Sequence, residues 1–386
     1  MPEPTDIGTR LREVRKRRGL SQQNLAASST VSLSLIRKLE QGEVTDTRME
    51  TVRRLAVALR VPTSQLLRRP EPQPHRAPEP WRGLQEAVTA PAVQPDGEPT
   101  VTGVAGALAE ARAAHADKRL GDAAALLPGA LRDAEALDGA EARGLQAQLL
   151  QIAGAMLTQT WQLSAAETAL ERALDAAPDR LRAASTVTTW TWLLTRQGRL
   201  AEARALAQRW ADDTEPRLSR ATPGEIAAWG WLLLQGQAAA IRDNRAGEAA
   251  DMLRLASAAA SVTGQVPLTV ERLDPWSPVV VAYKACEKSV ILDRPDEVLS
   301  AAEQLRGTGA GQVTDYHRHR LDVAKAHVML RQPGAAVEVL AEVHAAAPEW
   351  LAQQRYARDI MADVVERRRT LTPQMRTLAD AVGLPV

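Results

Sequence analysis

Residues 19–42 read GLSQQNLAASSTVSLSLIRKLEQG. Leu20, Leu25, Ala26, Val31, Ile36 and Leu39 carry the spacing of the inner faces of two short helices. Ser21 and Ser32 each stand where a side-chain oxygen caps the first turn of the helix that follows. Only a few residues separate the two helices, so they must cross steeply. That is helix-turn-helix geometry, in which the second helix fits the major groove of DNA.

The flanks extend the pattern. Residues 6–18, DIGTRLREVRKRR, place Ile7, Leu11 and Val14 at helical spacing, and residues 47–59, TRMETVRRLAVAL, do the same with Met49, Val52, Leu55, Ala56 and Leu59. Pro62 to Leu67 supply one more turn to close the bundle. Charge follows the same division. Residues 1–69 hold 14 Lys/Arg against 7 Asp/Glu, a net of +7, while the remaining residues hold 34 against 40, a net of −6. The overall +1 therefore conceals a dipolar chain whose first end suits a polyanion.

Five short helices with the Leu-Ser-Gln and Glu-X-Gly signals in register resemble the domain of the lambda-type phage repressors and Cro-like (XRE family) regulators. One departure is Thr30, at the turn position usually held by Gly. Either the turn is recast there or a β-branched residue carries strain at positive φ. The resemblance implies a role for each matching position. Gln22 contacts a phosphate, which sets register without reading sequence. Ser32 matches the cap-and-phosphate position. Leu33, Ser34, Arg37 and Lys38 form the outward face of the recognition helix: Arg37 forks to guanine, Leu33 packs on a thymine methyl, and Lys38 reaches a base or a phosphate. Gln41 resembles a backbone contact, and Arg48 enters the minor groove or holds a phosphate. Arg15 and Glu40 match a buried structural ion pair. The competing reading is an exposed polar face on a helix-turn-helix that binds protein instead.

From Arg68 to Thr100 eight prolines interrupt any periodicity, so residues 70–100 read as a Pro-rich linker. Trp81 within it either docks on the large domain or stays exposed. Residues 101–386 are rich in Ala and Leu, with a strand suggested only around Val266–Val270. Recurring turns begin at Gly121, Ser164, Arg199, Gly247, Pro295 and Pro333, at intervals of 43, 35, 48, 48 and 38 residues. These approach or exceed the ~34-residue tetratricopeptide period. The expected class is all-α: a head at 1–69, a linker at 70–100, and a superhelix of six or seven degenerate helix pairs at 101–386. Taken whole, the chain resembles actinobacterial helix-turn-helix regulators with tetratricopeptide-like C-terminal domains. Their peptide-sensing relatives bind a peptide in the concave groove of the array and dimerise through it, and the resemblance implies both here.

The concave face of such an array offers side chains not consumed by packing. Trp161, Trp190, Trp192, Trp229, Trp231 and Trp276 concentrate in the middle repeats. Within a helix Trp190 and Trp192 point about 200° apart, as do Trp229 and Trp231, so one of each pair is available to a ligand. Arg196, Gln235, Gln237, Arg242, Tyr283 and Lys284 are candidate polar partners. The alternative is that every one of these tryptophans is repeat core.

No apolar run approaches the ~18–20 residues of a membrane span, and no signal peptide is evident. Cys286, the only cysteine, fits a reducing cytoplasm and a packing role. His317 and His319, with His327 further on, do not share a helix face as a metal site requires. GTGAG at 307–311 lacks the Lys-Ser/Thr of a phosphate loop. The expectation is a cytoplasmic, non-enzymatic transcription regulator without cofactor or membrane partner. It would bind double-stranded DNA as a homodimer under a peptide or small-molecule effector. The rivals are an interaction scaffold, an enzyme with an undetected site in the array, and a regulator without any ligand.

Overall fold

The computed structural model describes residues 7–67, 81–90, 94–95, 97–266, 275–305, 314–366, 368 and 370–385. Most of the Pro-rich stretch, residues 267–270 of the suggested strand, and the GTGAG segment lie outside the described residues. All described regular structure is helical apart from one antiparallel bridge between Val266 and Trp276.

The head consists of α1 (Ile7–Arg17), α2 (Gln22–Ser29), α3 (Leu33–Gln41), α4 (Met49–Leu59) and a closing 3-10 turn, Thr63–Gln65. Its core is the set the apolar spacing selects. Leu11, Leu25, Ile36, Leu39, Leu55 and Leu66 are all fully buried and pack into one cluster. Each such side chain contributes about 1.5–3 kcal/mol by leaving water.

The proline-flanked segment is not wholly irregular. Trp81 leads into α5 (Arg82–Thr89), and Trp81, Leu84 and Val88 are buried in a cluster with the first pairs of the array. Arg172 donates to the Val88 carbonyl at 2.8 Å and fixes the helix end. Residues 82–89 of the stretch read as linker are thus helical. The stretch between Pro80 and Pro91 has room for two turns, and its three apolar residues share one face.

Among the described residues the array runs as six consecutive helix pairs. These are α6 (Val101–Ala116) with α7 (Leu120–Glu135), α8 (Ala140–Gln159) with α9 (Leu163–Ala176), and α10 (Arg180–Arg196) with α11 (Leu200–Asp213). They continue as α12 (Pro223–Arg242) with α13 (Ala246–Thr263), α14 (Pro278–Ile291) with α15 (Pro295–Gln304), and α16 (Thr314–Met329) with α17 (Pro333–Ala346). Then come α18 (Pro348–Ala352), α19 (Arg355–Glu366) and α20 (Pro373–Ala381). The first helix of each pair packs on its partner and on the first helix of the next pair, which stacks the pairs into a superhelix.

The repeat is written in the backbone more clearly than in the side chains. Lys118, Trp161, Gly198, Asn244, Asp293 and Arg331 all adopt positive φ, one in each within-pair turn. The N–H that follows each bonds back into the preceding helix. Arg119 reaches Ala114, Gln162 reaches Leu157, Arg199 reaches Leu194, Arg245 reaches Ala240, Arg294 reaches Ser289 and Gln332 reaches His327, all at 2.8–2.9 Å. These are Schellman closures, repeated six times. The turns read from sequence at Gly121, Ser164, Arg199, Gly247, Pro295 and Pro333 fall just past these residues, at the starts of the second helices.

Packing between pairs is tight where glycine permits it. Trp276 is fully buried, with its ring seated on Gly230 closer than any Cβ could be accommodated. The C-terminal helices reach back across the superhelix. Glu349 on α18 accepts from the Gly121 N–H at 3.0 Å, and Arg196 at the end of α10 donates to Gln354 at 3.4 Å.

Candidate nucleic-acid interface

The two motif helices begin as their sequence dictates. Ser21 Oγ accepts from the Asn24 N–H at 3.0 Å, and Ser32 Oγ accepts from the Leu35 N–H at 3.2 Å. Gly42 ends α3 at φ 76°. In the turn between the helices Thr30 sits at φ 57°, so the turn keeps its usual shape and the β-branched residue holds the strained conformation. With Ile36 and Leu39 locked in the core, the opposite side of α3 is fixed. Ser32, Ser34, Arg37, Lys38 and Gln41 are exposed, and Leu33 is half-buried at the edge of that face.

The head is braced from within. Arg15 clasps Glu40 with two bonds, Nε to Oε1 at 2.6 Å and Nη2 to Oε2 at 2.7 Å, and its remaining nitrogen donates to the Leu20 carbonyl at 2.8 Å. Burial works to raise the Glu40 carboxyl. The hydrogen bonds from Arg15 and Gln22 and the Arg15 charge outweigh it, so its pKa lies below the ordinary value. Gln22 Nε2 donates to Glu40 at 2.8 Å, which turns this amide inward and leaves a phosphate only its second N–H.

Arg48 is placed differently from the α3 residues. It precedes α4, and its guanidinium lies on the array: Nη1 is 2.6 Å from Asp363, and Nε is 3.5 Å from Asp359. Around this pair the head rests on the turn edge of the array. Lys325 bridges Glu50 at 3.1 Å and Asp363 at 3.0 Å, and Arg54 reaches Asp293 at 3.4 Å. Asp243 accepts from the Ser64 N–H at 2.8 Å, and Asn244 donates to the Val61 carbonyl at 3.3 Å. Burial tends to raise Asp363, but Lys325 and Arg48 outweigh it and hold the carboxyl below its usual range. The seat uses α4 and the closing turn and leaves α3 facing outward. This contact between head and array was not read from the sequence, since it joins residues 48–67 to residues some 180 to 315 positions away.

The candidate effector residues divide. Trp229 is buried and spends its indole N–H on the Ala211 carbonyl at 3.1 Å; Trp231 is buried edge-on to Trp276, with ring centroids 6.3 Å apart. Trp190 packs against two core clusters. Tyr283 stacks on His319 at 4.6 Å, and Gln235 is half-buried on α12. Lys284 pairs with Glu287 at 3.4 Å and Asp315 at 3.2 Å, in a network that also takes Arg242 and Arg318. Gln237 is fully buried with neither amide atom bonded. Trp192 and Arg196 do come together: the guanidinium lies 4.9 Å from the Trp192 ring and 5.0 Å from Trp161. Cys286 is buried among apolar side chains, and burial pushes its thiol up to about 12. His317 and His319 are both buried but face different neighbours, Trp350 and Tyr283.

Among the described residues no helix is long and apolar enough to cross a membrane. The chain matches no curated protein. The family described as a helix-turn-helix domain matches residues 6–68, the whole of the head, and this points to a DNA-binding regulator.

Proposed function

We propose that the chain is a sequence-specific transcription regulator of the Cro/C1 type that acts as a homodimer in the bacterial cytoplasm. One observation carries the reading. Ser34, Arg37, Lys38 and Gln41 stand free on a capped helix whose other face is core, in the one part of the chain with a strong positive excess. Arg37 forks to guanine and Leu33 packs on thymine. Ser34 and Lys38 complete the reading face. Ser32, Gln41 and the outer N–H of Gln22 hold phosphates, and Arg48 joins them on leaving Asp363. One head reads too few bases to select a site, whereas two read half-sites roughly 34 Å apart or a multiple of it. The array, a tetratricopeptide-like superhelix in this reading, supplies dimerisation and the effector site. An effector shifts the population between array shapes that hold the paired heads differently.

The test is selection of the full-length chain against a random duplex pool at low and at physiological salt. A two-fold symmetric enriched sequence is the expected result, with affinity that falls steeply with salt. Salt-sensitive binding without any enriched sequence, even when residues 1–69 are fused to an unrelated dimeriser, would replace this reading with the scaffold.

A further inference from the structure

Four side chains stack in alternation where the turn after α8 meets the end of α10 and the start of α19. The Arg355 guanidinium lies 3.5 Å from the Trp161 ring centroid; Arg196 lies on that ring and on Trp192 at 5.0 and 4.9 Å. Cation–π stacking alone is a common structural device. Charge is what separates this place from the rest of the array. Arg242, Lys284 and Arg318 all have Glu287, Lys284 also has Asp315, and Lys325 has Asp363. Among the described residues Arg196 has no such partner. It donates a hydrogen bond to the neutral amide oxygen of Gln354, and the charges that reach it are those of Arg318, Arg355 and Arg242. Burial first, and then these three cations, push its guanidinium down to about 9.

An uncompensated cation held among other cations is costly, and Leu or Met would fill the same space without that cost. A second donor is stranded beside it, because Trp161 Nε1 is buried with no acceptor. A guanidinium bonded only to a neutral amide at 3.4 Å and an indole N–H with no acceptor, between aromatic faces, are the complement of a small anion. A guanidinium forks to carboxylate or phosphate oxygens, and the indole N–H adds a third bond.

We propose that Arg196, with Trp161, Trp192 and Arg355, forms an anion site that takes the carboxylate or phosphate group of the effector. This rests on the effector reading above and narrows it to an anionic ligand whose body lies along the tryptophan faces. The site adjoins the seat of the head. Gly198, two residues past Arg196, lies under Met49 and Leu67, and the charge of Asp46 reaches Arg355. Filling the site therefore alters the ground on which the head rests.

Tryptophan fluorescence of the full-length protein is titrated with inorganic phosphate and, separately, with acetate, at constant ionic strength in chloride buffer. The expected result is a saturable change with at least one probe. It should be at least tenfold weaker in Arg196→Gln and unchanged in Arg254→Gln, an exposed arginine on α13. Response to phosphate alone assigns a phosphate ester, and response to acetate alone assigns a carboxylate such as a peptide C-terminus. Thermal melts guard against a folding artefact. Without probe, Arg196→Gln melts no lower than wild type, because it loses an unpaired charge, whereas a purely structural arginine would lower the melt. No saturable response to either probe below about 10 mM, or a response retained in Arg196→Gln, overturns the proposal. DNA selection with Arg196→Gln separates the two readings: an enriched operator keeps the regulator even if the anion site fails.

Discussion

The head and the array dispose of their polar side chains in opposite ways. On α3 of the head the unpaired polar groups face solvent, and the buried charge pair of Arg15 with Glu40 is closed on itself. In the array the charges turn inward and neutralise one another around Glu287, until Arg196 is left over. An outward surface with unpaired donors needs no compensation, because water supplies it until DNA does. An inward one carries a penalty until something binds. The same residue type therefore announces a site by exposure in one region and by isolation in the other.

The largest test of this contrast is Glu40→Gln. It leaves the Arg15 guanidinium enclosed without its carboxylate, and removing one partner of such a pair costs about 3 kcal/mol. Denaturant unfolding of the head should show that loss. Its pH dependence should flatten as well. Glu40 titrates below its ordinary 4.5, so in wild type its stabilisation is complete above that value and lost as pH falls through the depressed one. An acid limb equally steep in the variant would mean that the clasp is not what braces α3. Arg37→Ala comes next, at about 1–3 kcal/mol of DNA affinity with relaxed choice at one base position. Unfolding should not change, since Arg37 is exposed and, among the described residues, makes no hydrogen bond or ion pair. An unchanged footprint removes Arg37 from the reading face.

Legibility followed the same divide. In the head, Ser21, Ser32, Leu25, Ile36 and Leu39 fixed caps, core and outward face together, because each signal is local and falls within one or two turns. In the array the turns were legible, since a Schellman closure favours Gly, Asn or Asp at its left-handed residue and a helix-starting Pro often follows, as at Gly198, Asn244, Asp293 and Pro333, although Lys118 and Trp161 hold the same conformation without that signal. The side-chain assignments were not. Trp190, Trp229 and Trp231 carry the same spacing as Trp192, and only the positions of Ala211 and Trp276, outside the pair that holds Trp229 and Trp231, decide how those two rings are enclosed. The short helix after Trp81 escaped because its prolines were read as a continuous interruption rather than as its two ends. Arg48 read as a DNA contact, and nothing near it in sequence reveals Asp363.

Thr30 marks a place where the head departs from local consistency. At φ 57° a β-branched residue is strained by about 1–2 kcal/mol, partly offset in any glycine replacement by backbone entropy. Thr30→Gly should therefore raise head stability by about 0.5–1 kcal/mol, read as an upward shift in the denaturant midpoint, with DNA affinity unaltered. A lower midpoint would show that the bond from Thr30 Oγ1 to the Ser29 carbonyl, 2.7 Å long, outweighs the strain.

The smallest effect is the one that joins the two regions. Asp363 receives both Arg48 of the head and Lys325 of the array, so its carboxylate stands where a DNA phosphate would stand for Arg48. Asp363→Asn leaves Lys325 with Glu50 and leaves Arg48 only the longer contact to Asp359. Half-exposed ion pairs of this kind contribute about 0.5 kcal/mol, so two- to threefold tighter DNA binding is expected. The salt dependence is the sharper readout. If the freed Arg48 takes up a phosphate, the slope of log affinity against log salt steepens by nearly one. Tighter binding with an unchanged slope would mean that the head has loosened without Arg48 reaching DNA. Unchanged affinity and slope would mean that the array edge and the DNA backbone do not compete for this arginine. The contrast between the two regions would then stand without any exchange of charge between them.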